Sequence, residues 1–341
     1  MVKRLTMADI GRLAGVSPST VSRAFSNSPS IPAATRARIL RIAEEHDYRM
    51  DVGAQNLRMR RTRTVAAVFP FFGHSARMIS DPFYLEIVGA MGDELALHDY
   101  DMILSRVSSN DDEWCQRFVL TNRVDGLLLI DRALNDRGIN TLRKLGAPFV
   151  AWGPTVPGQD YITVGADSVT GGALAVAHLA RLGRRRIGFI GGNEHMVETH
   201  LRRQGYERGL AAAGLPLDRS LIAFTDFTPQ AAYLAVNNLL DIEPQLDGIF
   251  LCSDVMAITA MEVLRGRGRR VPADVSIIGY DDIPLAAYCS PRLTTLRQPI
   301  HDGGRLMVRK LFDLIDGRPT EPAMLPIELV VRDSCGGRLN T

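Results

Sequence analysis

Residues 6–25, TMADIGRLAGVSPSTVSRAF, decide how the first part of the chain folds. Thr6 reads as an N-cap with acidic Asp9 three positions on, and Met7, Ile10, Leu13 and Ala14 recur at helical spacing. Gly15 should end that helix. Ser17-Pro18, a capping residue followed by proline at a first helical position, should open a second one almost at once. Two short helices joined by so tight a turn form a helix-turn-helix. On the second helix Val21 and Ala24 face inward, which leaves Pro18, Ser19, Ser22 and Arg23 at a surface that could meet a major groove. A third helix is expected from Pro32 to His46, with Ile39, Ile42 and Ala43 inward and Arg36, Arg38 and Arg41 outward. A unit of this size can also be a protein-docking module. The capping pattern, the small polar residues of the second helix and the local charge favour nucleic acid.

The net charge of +2 conceals an uneven distribution. Residues 1–64 carry twelve Lys and Arg against five acids, a balance of +7 that leaves −5 for the remainder. A basic head on an acidic body is the footprint of a protein that touches a polyanion at one end. Between head and body lies MDVGAQNLRMRRTR, residues 50–63, helix-capable and with four arginines. A helix this short is marginal in water, so it should order only when something docks on it.

At 341 residues the chain suits two or three compact units, and 46% hydrophobic with 23% charged residues is ordinary globular composition. No run of apolar residues is long enough to span a membrane, and the N-terminus has no apolar export core, so a cytoplasmic location is expected. Cys115, Cys252, Cys289 and Cys335 are scattered, without a CxxC pair or histidines at zinc spacing; neither disulfides, a metal nor a cofactor is expected.

From Thr64 onward short β-rich runs alternate with helix-length segments. Such runs begin at residues 64, 101, 124, 148, 161, 186, 221, 247 and 274. This alternation predicts parallel sheets with helices on both faces, and that many strands divide better into two lobes than into one sheet. Ligands of open α/β sheets bind beyond the carboxyl ends of the strands, where this chain repeatedly places acids: Asp131, Asp167, Ser253-Asp254 and Asp281-Asp282. Some of these residues should merely cap the next helix. The rest could accept hydrogen bonds from a hydroxyl-rich ligand.

The stretch from Thr6 to Arg58, and then VGADSVTGGALAVAHLARLGRRRIGFIGG, RRQGYERGLAAAGLPLD and DVSIIGYDDIPLAAYCSPRLTTLRQPI, resemble the lactose-repressor (LacI/GalR) family along nearly the whole chain. The resemblance implies a small all-α helix-turn-helix head, residues 1–48, a hinge over 49–63, and an α/β two-lobed periplasmic-binding-protein-like body with parallel sheets, residues 64–341. Its lobes would comprise about 64–163 with 294–322, and about 164–293 with 323–341. It implies that Pro18, Ser19 and Arg23 read bases, that Thr6, Ser17, Thr20, Ser22 and Asn27 touch phosphates, and that Ala54, Gln55 and Leu57 enter the minor groove. Proline offers only an apolar edge, so Ser19 and Arg23 should carry the hydrogen-bonded discrimination. Met50-Asp51 departs from the proline-asparagine of many members at the hinge start.

In the body the resemblance implies an effector cleft with Arg202 and Asp281 as anchors and Ser253 where many members have asparagine. Pro70, Phe71 and Phe72 with Asp81 to Phe83 would edge the cleft, and Trp152 would offer a stacking face. Core or interface packing is the alternative for Phe71, Phe72 and Trp152. The implied partners are pseudo-palindromic double-stranded operator DNA, a small-molecule effector, most simply a sugar, and a second copy of the chain. No leucine heptad follows the body, which favours a dimer over a tetramer. A ligand-responsive transcriptional repressor is the resulting expectation. Neither GxSxG, GxxxxGK[ST] nor HExxH occurs, and GFIGGN does not follow GxGxxG, so catalysis is not expected.

Overall fold

The computed structural model describes residues 5–48, 61–71, 77–108, 111–134 and 136–337. Two compact units meet between Thr62 and Arg63. The expected minor-groove residues Ala54, Gln55 and Leu57, and Phe72, lie outside the described residues.

Among its described residues the first unit holds three helices: α1 (Met7–Ala14), α2 (Pro18–Phe25) and α3 (Ala33–Glu45). Thr6 and Asp9 form a reciprocal capping box at the start of α1, and Gly15 closes it at φ 64°. The turn into α2 passes so close to α1 that a Cβ on Gly11 would lie 2.8 Å from the Val16 carbonyl oxygen. That approach, together with the Val16 N–H donated to Gly11 O at 2.9 Å, sets the spacing of the two helices. Ile10, Ala14, Val21, Ala24, Ile31 and Ile39 make the core. Leu13, one of the apolar residues at helical spacing, is half exposed. Arg36, expected outward, is partly buried and donates to Ser28 O at 2.6 Å, bracing the loop before α3.

The described residues of the second unit form two six-stranded sheets. In the first, β1 (Thr64–Phe71), β2 (Asp101–Ser108), β3 (Gly126–Leu129), β4 (Phe149–Trp152), β5 (Ile162–Ala166) and β11 (Ala323–Leu325) run in the order 11-5-4-3-1-2, all parallel. The second is built from β6 (Ile187–Gly191), β7 (Ile222–Phe224), β8 (Gly248–Leu251), β9 (Ser276–Asp281), β10 (Thr294–Arg297) and β12 (Glu328–Val330), in the order 12-10-9-8-6-7. There only β12, against β10, is antiparallel. The first lobe carries α4 (Pro82–Ala96), α5 (Glu113–Val119), α6 (Arg137–Lys144) and α11 (Ile300–Ile315). The second carries α7 (Ser168–Arg181), α8 (Val197–Ala212), α9 (Pro229–Ile242) and α10 (Asp254–Gly266). Separate apolar clusters fill both faces of the first sheet, and one large cluster fills the second lobe.

Each anticipated β-rich run contains a strand. The lobe boundaries differ from expectation at the C-terminal end. Thr294–Arg297 was expected to return to the first lobe, yet β10 extends the second sheet beside β9, so the chain re-enters the first lobe later, at Gln298-Pro299. LPIELVVRDS was expected to lie wholly in the second lobe, yet Leu325 pairs with Ala166 in the first sheet and Glu328 with Arg297 in the second. Pro326 is the reason: a proline cannot donate to a ladder, and it splits what reads as one apolar run into two short strands.

Candidate DNA-reading face and interlobe cavity

On the head, Pro18, Ser19 and Arg23 are all exposed along α2. Ser17 caps that helix by accepting from Thr20 N at 3.2 Å, and its hydroxyl lies 2.7 Å from that of Ser19 and 2.9 Å from that of Thr20. The polar N-terminal turn of α2 is therefore pre-ordered, with its helix dipole pointing outward at the end where an anion is favoured. Thr6 is exposed at the start of α1, its hydroxyl donating to Asp9 at 2.7 Å. That bond and the Thr6 N–H hold the Asp9 carboxyl below its usual range. Asn27 is exposed with φ 52°, a left-handed conformation that asparagine tolerates, and Ser22 is partly buried. These residues share one unit, with Thr6, Ser17, Pro18, Ser19, Arg23 and Asn27 exposed.

In the body, glycines set the position of the central arginine. α7 and α8 pack nearly backbone to backbone: a Cβ on Gly172 would lie 2.3 Å from Arg202 O, and one on Gly205 2.2 Å from Val169 O. Arg202 on α8 is buried, donates from Nη1 to Cys252 O at 2.7 Å, and stacks over the Tyr280 ring at 3.7 Å. Its Nε has no hydrogen-bond partner. Asp281 ends β9 with φ 115° and accepts from Gln298 Nε2 at 2.7 Å. Burial raises its pKa despite the attraction of Arg202 and Arg77.

Arg202, Asp281, Phe83 and Trp152, all anticipated, line one cavity between the lobes. Trp152 contributes little open surface to it. It is 2% exposed, wedged against Phe83 and against Gly303 of α11, where a Cβ would strike its ring. Pro70 and Phe71 line an adjoining cavity, where Arg106 covers the Phe71 ring at 4.4 Å. Ser253 lines neither; it caps α10, accepting from Met256 N at 3.3 Å. Among the strand-end acids, Asp167 is likewise a cap, for α7, and Asp254 is buried as the acceptor of Ile283 N and Thr295 Oγ1.

Several cavity residues escaped the sequence reading. Asp131, noted only as one strand-end acid among several, is buried and accepts from the Tyr84 hydroxyl. Burial raises its pKa to about 6, against the pull of Arg77. Arg77 itself pairs with Asp81 and stacks on Tyr84 and Phe227. Burial alone would lower its pKa, but the carboxylates of Asp81 and Asp131 outweigh that and keep it a cation. Glu198, at the start of α8, meets Arg132 of the first lobe at 3.2 Å, with both groups buried. Its Oε2 has no partner. Gly153 makes that pair possible, since a Cβ there would lie 2.2 Å from Glu198 Oε1 and 2.5 Å from Arg132 Nη2. Beside the ion pair, Val197 N donates to Arg132 O at 3.0 Å and Leu134 N to His195 O at 2.9 Å, joining the lobes through backbone as well. None of these residues stands in a periodic pattern. Only the end of β3 could have pointed to Asp131.

Residues 6–51 match the model of bacterial regulatory proteins of the lacI family, and residues 176–335 match that of the periplasmic binding protein-like domain. The HTH-type transcriptional regulator CelR of Thermobifida fusca is 36% identical over 97% of this chain and 98% of its own length. The chain belongs to the lacI family of bacterial regulatory proteins. The HTH-type transcriptional repressor CytR of Escherichia coli K12 is 34% identical to the regulator over 96% of both chains. Among solved structures, a CelR–cellobiose complex is 34% identical, with a TM-score of 0.73 over 97% of the regulator and 100% of that chain. The regulator is thus a DNA-binding transcription factor with a helix-turn-helix head and a two-lobed α/β body, from a family of regulators and not of enzymes. Among the described residues no helix is long and apolar enough to cross a membrane.

Proposed function

We propose that the regulator is a cytoplasmic homodimeric repressor whose hold on a pseudo-palindromic operator is governed by a sugar bound between the lobes. The observation that carries this reading is the pair of orphaned polar atoms, Arg202 Nε and Glu198 Oε2, both buried in groups that line the same cavity. A buried polar group without a partner is costly, and a ligand hydroxyl can satisfy both a donor and an acceptor. The wall adds Asp131 and Asp281 as acceptors and Phe83 and Phe227 as apolar faces, a combination suited to a sugar. That the similar CelR forms a complex with cellobiose supports the same chemistry.

On the head, Ser19 and Arg23 read base edges, with Pro18 giving an apolar contact, while Thr6, Ser17, Thr20, Ser22 and Asn27 hold phosphates. Each good base contact contributes about 1–3 kcal/mol of discrimination. Dimerisation supplies two heads for the half-sites of a two-fold operator. The linker, with Ala54, Gln55 and Leu57 in the minor groove, orders on DNA, and lobe closure alters the spacing of the two linkers. The sugar acts by binding one degree of closure more tightly than the other.

A gel shift with the gene's own upstream DNA tests the operator assignment. A retarded band that responds to a sugar supports it; no band with any sugar in a broad panel refutes it.

A further inference from the structure

The strands next to the lobe crossings stand together at one edge of each sheet: β5 and β11 in the first, β10 and β12 in the second. The chain passes between lobes from β5 to α7, at Gln298-Pro299 and at Pro326, so that edge is the pivot of any lobe motion. A second junction lies away from it. There the segment after β3 meets the segment before α8, with Ala133 and Met196 facing each other as an isolated antiparallel bridge. In sheet order β3 is two strands from β5, and β6 is three from β10, which sets this junction about 10–14 Å from the pivot at the usual strand spacing. The hydrogen bonds from Leu134 N to His195 O and from Val197 N to Arg132 O flank the bridge, and the buried Arg132–Glu198 ion pair lies beside it.

Resting on the sugar reading above, we propose that this junction is a latch: it holds the lobes in an arrangement that excludes the sugar, and the sugar binds only when the latch is released. Each of the two spaces between the lobes has room for about one water molecule, and a sugar ring is many times larger. Their walls leave little slack, since Arg77 of the first lobe lines both and stacks on Phe227 of the second at 4.4 Å. Room for a ring comes from rotation about the pivot. Such rotation pulls hardest on contacts far from it, which is where the bridge and the ion pair sit. The latch is made of groups that water can replace. Two backbone hydrogen bonds and an ion pair recover hydration once opened, so they fix the closed geometry without making it permanent. Glu198 serves both states: with Arg132 it closes the latch, and once released it can meet the sugar. The latch thereby sets the sugar threshold, because apparent affinity falls in proportion to the fraction of molecules that are open.

The test locks the latch covalently. Ala133→Cys combined with Met196→Cys places two sulfurs on a facing pair whose flanking hydrogen bonds make it the closer kind of antiparallel pair, with Cα atoms about 4.5 Å apart, inside the range for a disulfide. The full chain is titrated calorimetrically with glucose, galactose, cellobiose, maltose and lactose, once after closure by glutathione disulfide and once after reopening by dithiothreitol, with the parent in the same two buffers. The expected result is a sugar that binds the parent and the reduced variant, and that binds the oxidised variant at least about tenfold more weakly. Equal or tighter binding to the oxidised variant would overturn the latch and leave the sugar reading standing. Amide hydrogen exchange in the parent gives a second measurement that needs no engineered residue. Saturation with that sugar should speed exchange at Leu134 and Val197 at least about tenfold, with the core amides of β4 and β8 unchanged; slower exchange at both would overturn the latch. No heat from any of the five sugars would refute the sugar reading and this proposal together.

Discussion

Replacing Arg132 by methionine asks how much the buried interlobe ion pair contributes. The Arg132 guanidinium is fully buried and donates to Glu198, to Pro154 O at 2.8 Å and to Gln159 Oε1 at 3.0 Å. Methionine fills part of the volume but leaves the Glu198 carboxylate without its countercharge, a change that costs about 3–5 kcal/mol when a buried pair is broken on one side. The lobes can partly relieve this by separating and admitting water, which limits the loss to the free energy holding them together. The expected destabilisation is therefore about 3 kcal/mol, the lower end of that range. For a body of this size each kcal/mol lowers the melting temperature by about 2–4 °C, so differential scanning calorimetry should show a fall of about 6–12 °C. Adding Glu198→Leu to Arg132→Met removes the stranded charge and should restore stability to within about 1 kcal/mol of the parent. A single variant melting within about 2 °C of the parent, or a double variant no more stable than Arg132→Met, would refute the assignment of this pair as an interlobe tie.

Three further outcomes follow from the geometry. Asp131 has a folded-state pKa of about 6, above its unfolded value, so its protonated form favours folding and that contribution is lost as pH rises through about 6. The melting temperature of Asp131→Asn relative to the parent should therefore climb between about pH 5 and pH 7, and a flat difference would contradict the buried carboxyl. Gly205→Ala should destabilise the body by about 1–3 kcal/mol, because its methyl meets Val169 O, and should also weaken any sugar response by moving Arg202; titration and melting together check this. Thr6→Ala removes one half of the α1 capping box and should cost about 0.5–2 kcal/mol of head stability, measurable by urea unfolding of the full chain followed by head-specific amide exchange.

The parts of the fold that local chemistry dictates were legible in the sequence. Caps at Thr6 and Ser17, the stop at Gly15 and the β-rich runs all act over a few residues, and the structure has its elements there. The crossings between lobes were less legible because they depend on strand pairing over long sequence distances. Pro326 carried the one local sign, and an otherwise continuous apolar run obscured it. In the cavity, Arg202 and Asp281 were found through family resemblance, and the structure brings them to one wall. Ser253 shows the limit of that route, since the same position here caps a helix. Arg77, Glu198 and Phe227 were missed because each comes from a loop or a helix start, where no periodicity marks a residue. Their partners, Asp81 excepted, lie far along the chain: Glu198 meets Arg132, and Phe227 meets Arg77. Trp152 looked available for stacking, but the approach of α11 at Gly303 turns it into core.

The central claim is that a ligand in the body controls the head through Arg202. Fluorescence anisotropy of labelled operator with the full-length regulator, with and without the saccharide that binds most tightly, tests it for the parent and for Arg202→Ala. The account predicts equal operator affinity for the two proteins without sugar, and a shift of at least about tenfold on adding sugar in the parent alone. An unchanged operator affinity in the parent at saturating sugar, or a full response in Arg202→Ala, would contradict it.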